Sequence, residues 1–337
     1  MRVRLAVACG LAFVAGPLRA QPQIAGCAVF PADNIWNVPV DTLPVDSKSS
    51  AILANMNPGA GLHPDFGSGL WDGGRIGIPF DVVPGSQPPV AVDFAELGWP
   101  EESDPGPYPV PPDPQIEGEP GNAAGDRHVL ILQTGTCTLH ELYYTYPNGE
   151  NGCAVGAGGW CAASGVRWSL GSNALRPAGW TSADAAGLPM LAGLALYEQV
   201  AAGEIRHALR FTVAPTREAY RWPARHEAGS STDTNYPPMG LRVRLKAGYD
   251  VSGFSPHART ILVALKKYGM MLADNGGDWF ISGVPDERWN NDVLHELGRV
   301  RGSDFEVVDV SSIMVDPNSG ATKAPVKKGK GKGPKPR

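Results

Sequence analysis

Apolar and polar positions alternate in short stretches along most of this chain, and glycine, proline, asparagine and aspartate separate the stretches. A side-chain period of two bounded by turn residues is the signature of half-buried strands. It predicts strands over 75–83, 90–94, 127–133, 137–146, 166–170, 205–213, 241–247, 279–282 and 306–310. Helical spacing is rarer. A short helix is expected over 49–56, and a second from Thr181 or Ser182 to about Ala202, interrupted by Pro189 and closed by Gly203. A third starts at Ser255-Pro256, with Ile261, Leu265 and Tyr268 on one stripe, and a last one covers 285–297. Strands outnumber helices and do not alternate with them, which argues against a parallel β/α arrangement. The expected fold is mainly β (α+β), an antiparallel β-sandwich or jelly-roll-like domain with a few peripheral helices.

The two ends of the chain depart from this pattern. Residues 1–20 place Arg2 and Arg4 ahead of an apolar run and end in Gly-Pro-Leu-Arg-Ala, as a secretory signal peptide does. Residues 323–337 are a Lys/Gly/Pro tail of low complexity, expected to be disordered. Between them, 21–322 form one expected β-rich domain, crossed by a Pro-rich extended loop at 100–125 that reads as a plain linker in preference to an active-site lid. No later stretch has the ~20 apolar residues of a membrane span, so a secreted or periplasmic location is expected. The formal charge is −5; the tail holds seven Lys/Arg, the leader three Arg, and neither holds an acid, so the body between them carries −15. Such a body repels phosphate backbones, which excludes nucleic acid as the expected partner.

Four cysteines remain after the leader. An even number in an exported chain points to disulfides. Cys153 and Cys161 flank a Gly-rich loop and are paired on that ground, leaving Cys27 for Cys137. No C-x-x-C or H-x-x-x-H spacing occurs, so no metal and no cofactor is expected.

The densest acid/base group lies in the hairpin from Gly125 to Tyr146. Its register decides which side chains share a face. A three-residue loop over Thr134–Thr136 would group Asp126, His128, His140 and Tyr144, with Arg127 diagonal to Glu141 on the other face as a simple ion pair. A two-residue loop would group His128, Glu141 and Tyr143. Elsewhere, Asp274 precedes an Asn-Gly turn, His207 lies in an apolar row, and Tyr220–Glu227 clusters aromatic and cationic residues. G-x-S-x-G, H-E-x-x-H, P-loop and EF-hand patterns are absent.

Three segments, Val29-Phe-Pro-Ala-Asp-Asn-Ile-Trp-Asn37, Ser172–Pro189 and Tyr268-Gly-Met-Met-Leu-Ala-Asp-Asn-Gly276, resemble those of uncharacterised secreted bacterial proteins. The resemblance implies one domain spanning the Pro-rich stretch and attaches no activity. From the residues, a secreted carbohydrate-active enzyme is expected, a glycoside hydrolase cleaving an extracellular polysaccharide with paired carboxylates. Glu141 with Asp126 or Asp274 would be acid and base, with His128 and His207 orienting them. Arg210, Trp222, Arg225 and Tyr143 would bind substrate through charge and ring stacking. The alternatives are a polysaccharide lyase, with a His/Tyr pair abstracting the proton and Arg210 neutralising a uronate, and a non-catalytic extracellular binding or structural module.

Overall fold

The computed structural model describes residues 21–95, 97–121 and 125–323. The expected signal peptide and all but the first residue of the expected tail lie outside the described residues. The chain is a mixed α/β protein, 25% strand and 15% helix. Its main strands, in chain order, are β1 (His63–Asp65), β2 (Phe80–Val83), β3 (Val129–Gln133), β4 (Thr138–Tyr143), β5 (Ser164–Ser169), β6 (Leu209–Thr212), β7 (Arg242–Leu245), β8 (Met270–Asp274), β9 (Phe280–Ser282) and β10 (Phe305–Val307). The helices are α1 (Ser49–Ala54), α2 (Tyr197–Ala201), α3 (Pro256–Lys267) and α4 (Asn291–His295).

Two mixed sheets organise these strands, in the orders β5-β4-β3-β2 and β10-β7-β8-β6-β9-β1. The pairs β2/β3, β6/β8 and β9/β1 are parallel, where an all-antiparallel arrangement was expected. No sheet closes or curls, so neither a sandwich nor a jelly roll is displayed. The reason lies in the crossovers. Parallel neighbours need long connections, and here α3 supplies part of one while irregular chain supplies the others, so strand–helix alternation never appears in the sequence.

The four-stranded sheet is buried on both faces, which explains the unbroken apolar run Val129-Leu-Ile-Leu132. Leu130, Leu132, Leu139, Val166 and Trp168 join the large core shared with the six-stranded sheet and α3. On the other face, Val129, Ile131 and Leu142 meet Phe94, Tyr108, Val110 and Ile116. Three of those last residues belong to the Pro-rich stretch. It is not a linker: it covers the sheet, with Tyr108 fully buried and its hydroxyl donating to Asp104 O at 2.6 Å. The approach is so close that a Cβ on Gly165 would lie 2.5 Å from the Phe94 ring.

Two helix expectations need correction. From Thr181 to Leu196 the chain is buried but irregular, and only α2 at its end is α-helical. Gly187 turns at φ +67°, which breaks a continuous helix, and Gly193 packs where a Cβ would lie 2.8 Å from Trp36. The expected helix from Ser255-Pro256 is observed as α3, Pro256–Lys267; Gly269 then reverses the chain at φ +65°, and Met270–Asp274, where no strand was expected, is a central strand. That strand is buried on both faces, lacks alternation, and so looks like a helix continuation in the sequence. The last expected helix shortens to α4 followed by a 3₁₀ turn.

Both disulfides join the expected partners, Cys27–Cys137 and Cys153–Cys161, each with Cα atoms 5.5 Å apart. Such bonds fit an oxidising compartment. Among the described residues no helix is long and apolar enough to cross a membrane.

Candidate functional site

The β3–β4 hairpin pairs Gln133 with Thr138 and Leu130 with Glu141, leaving a four-residue loop from Thr134 to Cys137. Four residues preserve the parity of two, so His128, Glu141 and Tyr143 share the inner face while His140 points to the other side. Cys137 takes φ +48° in that loop and is held there by Cys27. Arg127 does not meet Glu141. It donates to Glu119 at 3.0 Å and to Thr145 O, and stacks 4.4 Å from the Tyr146 ring.

His128 is the pivot of the site. Its Nε2 faces Ala183 O at 2.9 Å, and its Nδ1 makes a very short contact with Glu117 Oε2. A carbonyl and a carboxylate both accept, so both ring nitrogens donate and His128 is an imidazolium. Burial alone would lower its pKa, but the Glu117 charge and hydrogen bond overcome that and raise it to about 9. Burial likewise pushes Glu117 up, and the His128 charge outweighs it and holds the carboxyl below its ordinary value. Backbone contacts fix the pair: Glu117 N donates to His128 O at 3.0 Å. The Pro-rich stretch therefore delivers the principal carboxylate, anchored by the buried Ile116 beside it.

Glu117 opens onto a cleft of about 790 Å³, with Asp65 and Asp126 among its lining residues. His63, stacked on Phe280 at 4.0 Å, and α4 residues Asn291, Leu294 and His295 form another part of the wall. Solvent reaches Asp65, yet the surrounding walls displace enough water to raise its carboxyl, and the Glu117 charge adds to the rise while His63 opposes it. Near the cleft, burial and then the charges of Asp126 and Asp274 raise the Tyr143 hydroxyl. Asp274, at the end of β8, is pushed to about 7 by burial and by Asp184.

Beneath these groups lies a sealed ion pair. Arg210 gives Nε and Nη2 to the two oxygens of Asp184 at 3.2 and 2.9 Å, and Nη1 to Ser282 at 2.5 Å. Burial works against both charges, but the bidentate geometry keeps the pair ionic and raises Arg210 further. Each guanidinium nitrogen makes one of these bonds and the side chain is buried, so Arg210 holds the floor together instead of presenting its charge to a uronate.

The fold thus gathers Asp126, Asp274, His128, Tyr143 and Arg210 from the expected set. Glu141 lies apart from the cleft. It is fully buried and accepts from Met190 N at 2.9 Å, Leu191 N at 2.9 Å and Trp168 Nε1 at 2.9 Å. It satisfies the backbone of the irregular 181–196 segment, whose buried amides have no helix to serve them. His207 is a buried core histidine between Ala208 O and Gln199, lowered to about 4 by burial. Trp222 donates to Ser319 O, and Arg225 to Arg176 O, Pro317 O and Asn318; both pin the C-terminal segment. Glu117, Asp65 and Asp184 are the residues that sequence reasoning missed.

Glu117, Asp126 and His128 also bring ligand atoms within 4.8 Å of one another. They could hold a divalent ion only by taking His128 Nδ1 from Glu117 and releasing its proton. No family model, curated protein or solved structure matches the chain.

Proposed function

We propose that the protein is an exported glycoside hydrolase whose catalytic groups are Glu117 and Asp65, with Asp126 beside them. The observation that carries this reading is the convergence of three carboxylates from three separate segments on one open cleft. Paired carboxylates in opposite protonation states are what glycosidic cleavage requires. The surroundings of Glu117 and Asp65 push them apart in that sense. Glu117, paired with His128, stays ionised as base or nucleophile; Asp65, raised by partial desolvation between the cleft walls and by the Glu117 charge, supplies the proton to the leaving oxygen. His128 and Tyr143 orient the group and set its charge. The lyase alternative loses support because Arg210 is spent on Asp184 and Ser282. The finer fold expectation, a sandwich, is not needed for this reading.

The test is release of reducing ends from a panel of neutral, amino-sugar and acidic polysaccharides by the purified protein. Glu117→Gln and Asp65→Asn should each lower turnover on the order of 10³-fold, as loss of a general acid or base does. Full activity in both variants would reject the assignment.

A further inference from the structure

Leu70–Trp71 and Gly74–Arg75 form a two-stranded hairpin at the cleft. Its turn residues Asp72 and Gly73 both take positive φ, 50° and 78°, as the tight hairpin turn demands. The hairpin is pressed backbone to backbone on the segment that carries Glu117. Gly74 bridges Pro120, Arg75 N donates to Glu119 O at 3.2 Å, and a Cβ on Gly74 would lie 2.2 Å from Gly118 O. A Cβ on Gly121 would come equally close to Gly73, at 2.3 Å from its carbonyl carbon. The hairpin cannot shift without moving Glu117 as well.

On this braced element Trp71 is 79% exposed and Leu70 59%. Among the described residues Trp71 is the most exposed large hydrophobic side chain. Nothing among the described residues covers the indole, yet it lines the same cleft as the carboxylates. A flat aromatic face beside acids suits the C–H face of a sugar ring, which stacks on the indole while its hydroxyls reach the carboxylates. Charge narrows the ligand further. Among the described residues three carboxyl groups, Asp65, Glu117 and Asp126, line the cleft against the single guanidinium of Arg75, which keeps its charge while its Nη1 donates to Gln115 at 2.7 Å, so a uronate would meet more acids than cations there.

We propose that the Trp71 hairpin is a stacking subsite for a non-anionic sugar ring, neutral or amino-substituted, of a polysaccharide whose scissile bond lies over Glu117, and that the cleft discriminates against polyuronates. This rests on the glycosidase reading. It makes the hairpin a substrate-positioning element rather than a catalytic one.

The experiment measures binding of cellohexaose, xylohexaose, the hexamer of glucosamine and hexagalacturonate to the full-length protein in a Glu117→Gln background, and in an Asp65→Asn background should the first variant fold poorly. At least one of the first three should bind and quench tryptophan fluorescence. Adding Trp71→Ala should weaken that binding about tenfold or more, about 1.4 kcal/mol, and Trp71→Phe should restore most of it. In the otherwise unsubstituted protein, Trp71→Ala should raise KM on the bound oligomer while changing kcat little. Equal affinity with and without Trp71 overturns the subsite, as does binding of none of the four. Tightest binding of hexagalacturonate overturns the charge selection. Binding that depends on Trp71 without any cleavage by the unsubstituted protein leaves the subsite standing and removes the glycosidase reading.

Discussion

Glu141 and Glu117 serve the same strand pair and have opposite fates. Glu141 projects from the middle of β4 into the core, where three N–H donors surround it and no solvent reaches it. Glu117 arrives from a loop, meets the imidazole just before β3, and keeps part of its surface on a cleft. Sequence position alone favours Glu141, since it lies inside the hairpin with the histidines. The fold reverses that ranking, because a catalytic carboxylate must reach substrate and a carboxylate that closes a buried loop cannot. Saturated acceptors combined with full burial mark a structural acid; a single charged partner combined with an open side marks a candidate catalyst.

Asp184 stands with Glu141 on the structural side of this contrast, and it is the sharper place to break it. Asp184→Ala would leave Arg210 buried with an uncompensated charge, and should lower unfolding free energy by about 3–5 kcal/mol in urea denaturation. A loss under about 1 kcal/mol would show that water reaches Arg210 and that the floor is not sealed. Glu141→Leu should have the next largest effect, about 3 kcal/mol, because Met190 N, Leu191 N and Trp168 Nε1 lose their acceptor together. Once allowance is made for the unfolded fraction, its turnover per folded molecule should stay near that of the unsubstituted protein. A turnover collapse in fully folded Glu141→Leu would return Glu141 to the chemistry.

Much of the scaffold was legible because it rests on local signals. Each expected strand overlaps an observed one, and the pairing of Cys153 with Cys161 across a Gly-rich loop left only one partner for Cys27. The parallel pairings were not legible, since they join segments far apart in sequence. The site was half legible for the same reason. Asp126, His128 and Tyr143 share a hairpin, whereas Glu117 hides in proline-rich chain and Asp184 in a segment that resembles a helix. The isolated apolar Ile116 beside Glu117 was the one available signal, a buried anchor in otherwise polar chain. Asp65 offered none: it belongs to a three-residue edge strand paired with β9, more than two hundred positions later.

The smallest effect separates the two glutamates by pH. Glu141 is a carboxyl raised to about 7 by burial, against the hydrogen bonds from Leu191, Met190 and Trp168. A raised folded pKa contributes stability that is complete below the unfolded value, about 4.5, and is lost as pH rises through about 7. His128 is also raised, from 6.5 to about 9, so its contribution is complete below pH 6.5 and disappears as pH climbs through 9. Glu117 is depressed, so its share is present above the ordinary glutamate value and is lost only in stronger acid. The contributions of Glu141 and His128 to unfolding free energy therefore decline in two windows, with a slope of no more than ~1.4 kcal/mol per pH unit from each group, while His207, lowered to about 4, contributes in the opposite direction below 6.5. Glu141→Gln, which keeps an acceptor but cannot titrate, should remove Glu141's share of the slope between about 4.5 and 7, where Asp274 still titrates, and leave the upper window unchanged. Glu117→Gln removes the carboxylate that holds the proton on His128, and should flatten the window between 6.5 and about 9 while leaving the lower one. Denaturation curves collected across both windows decide the matter: if either variant flattens the other's window, the two acids are coupled and the division between structural and catalytic carboxylates fails.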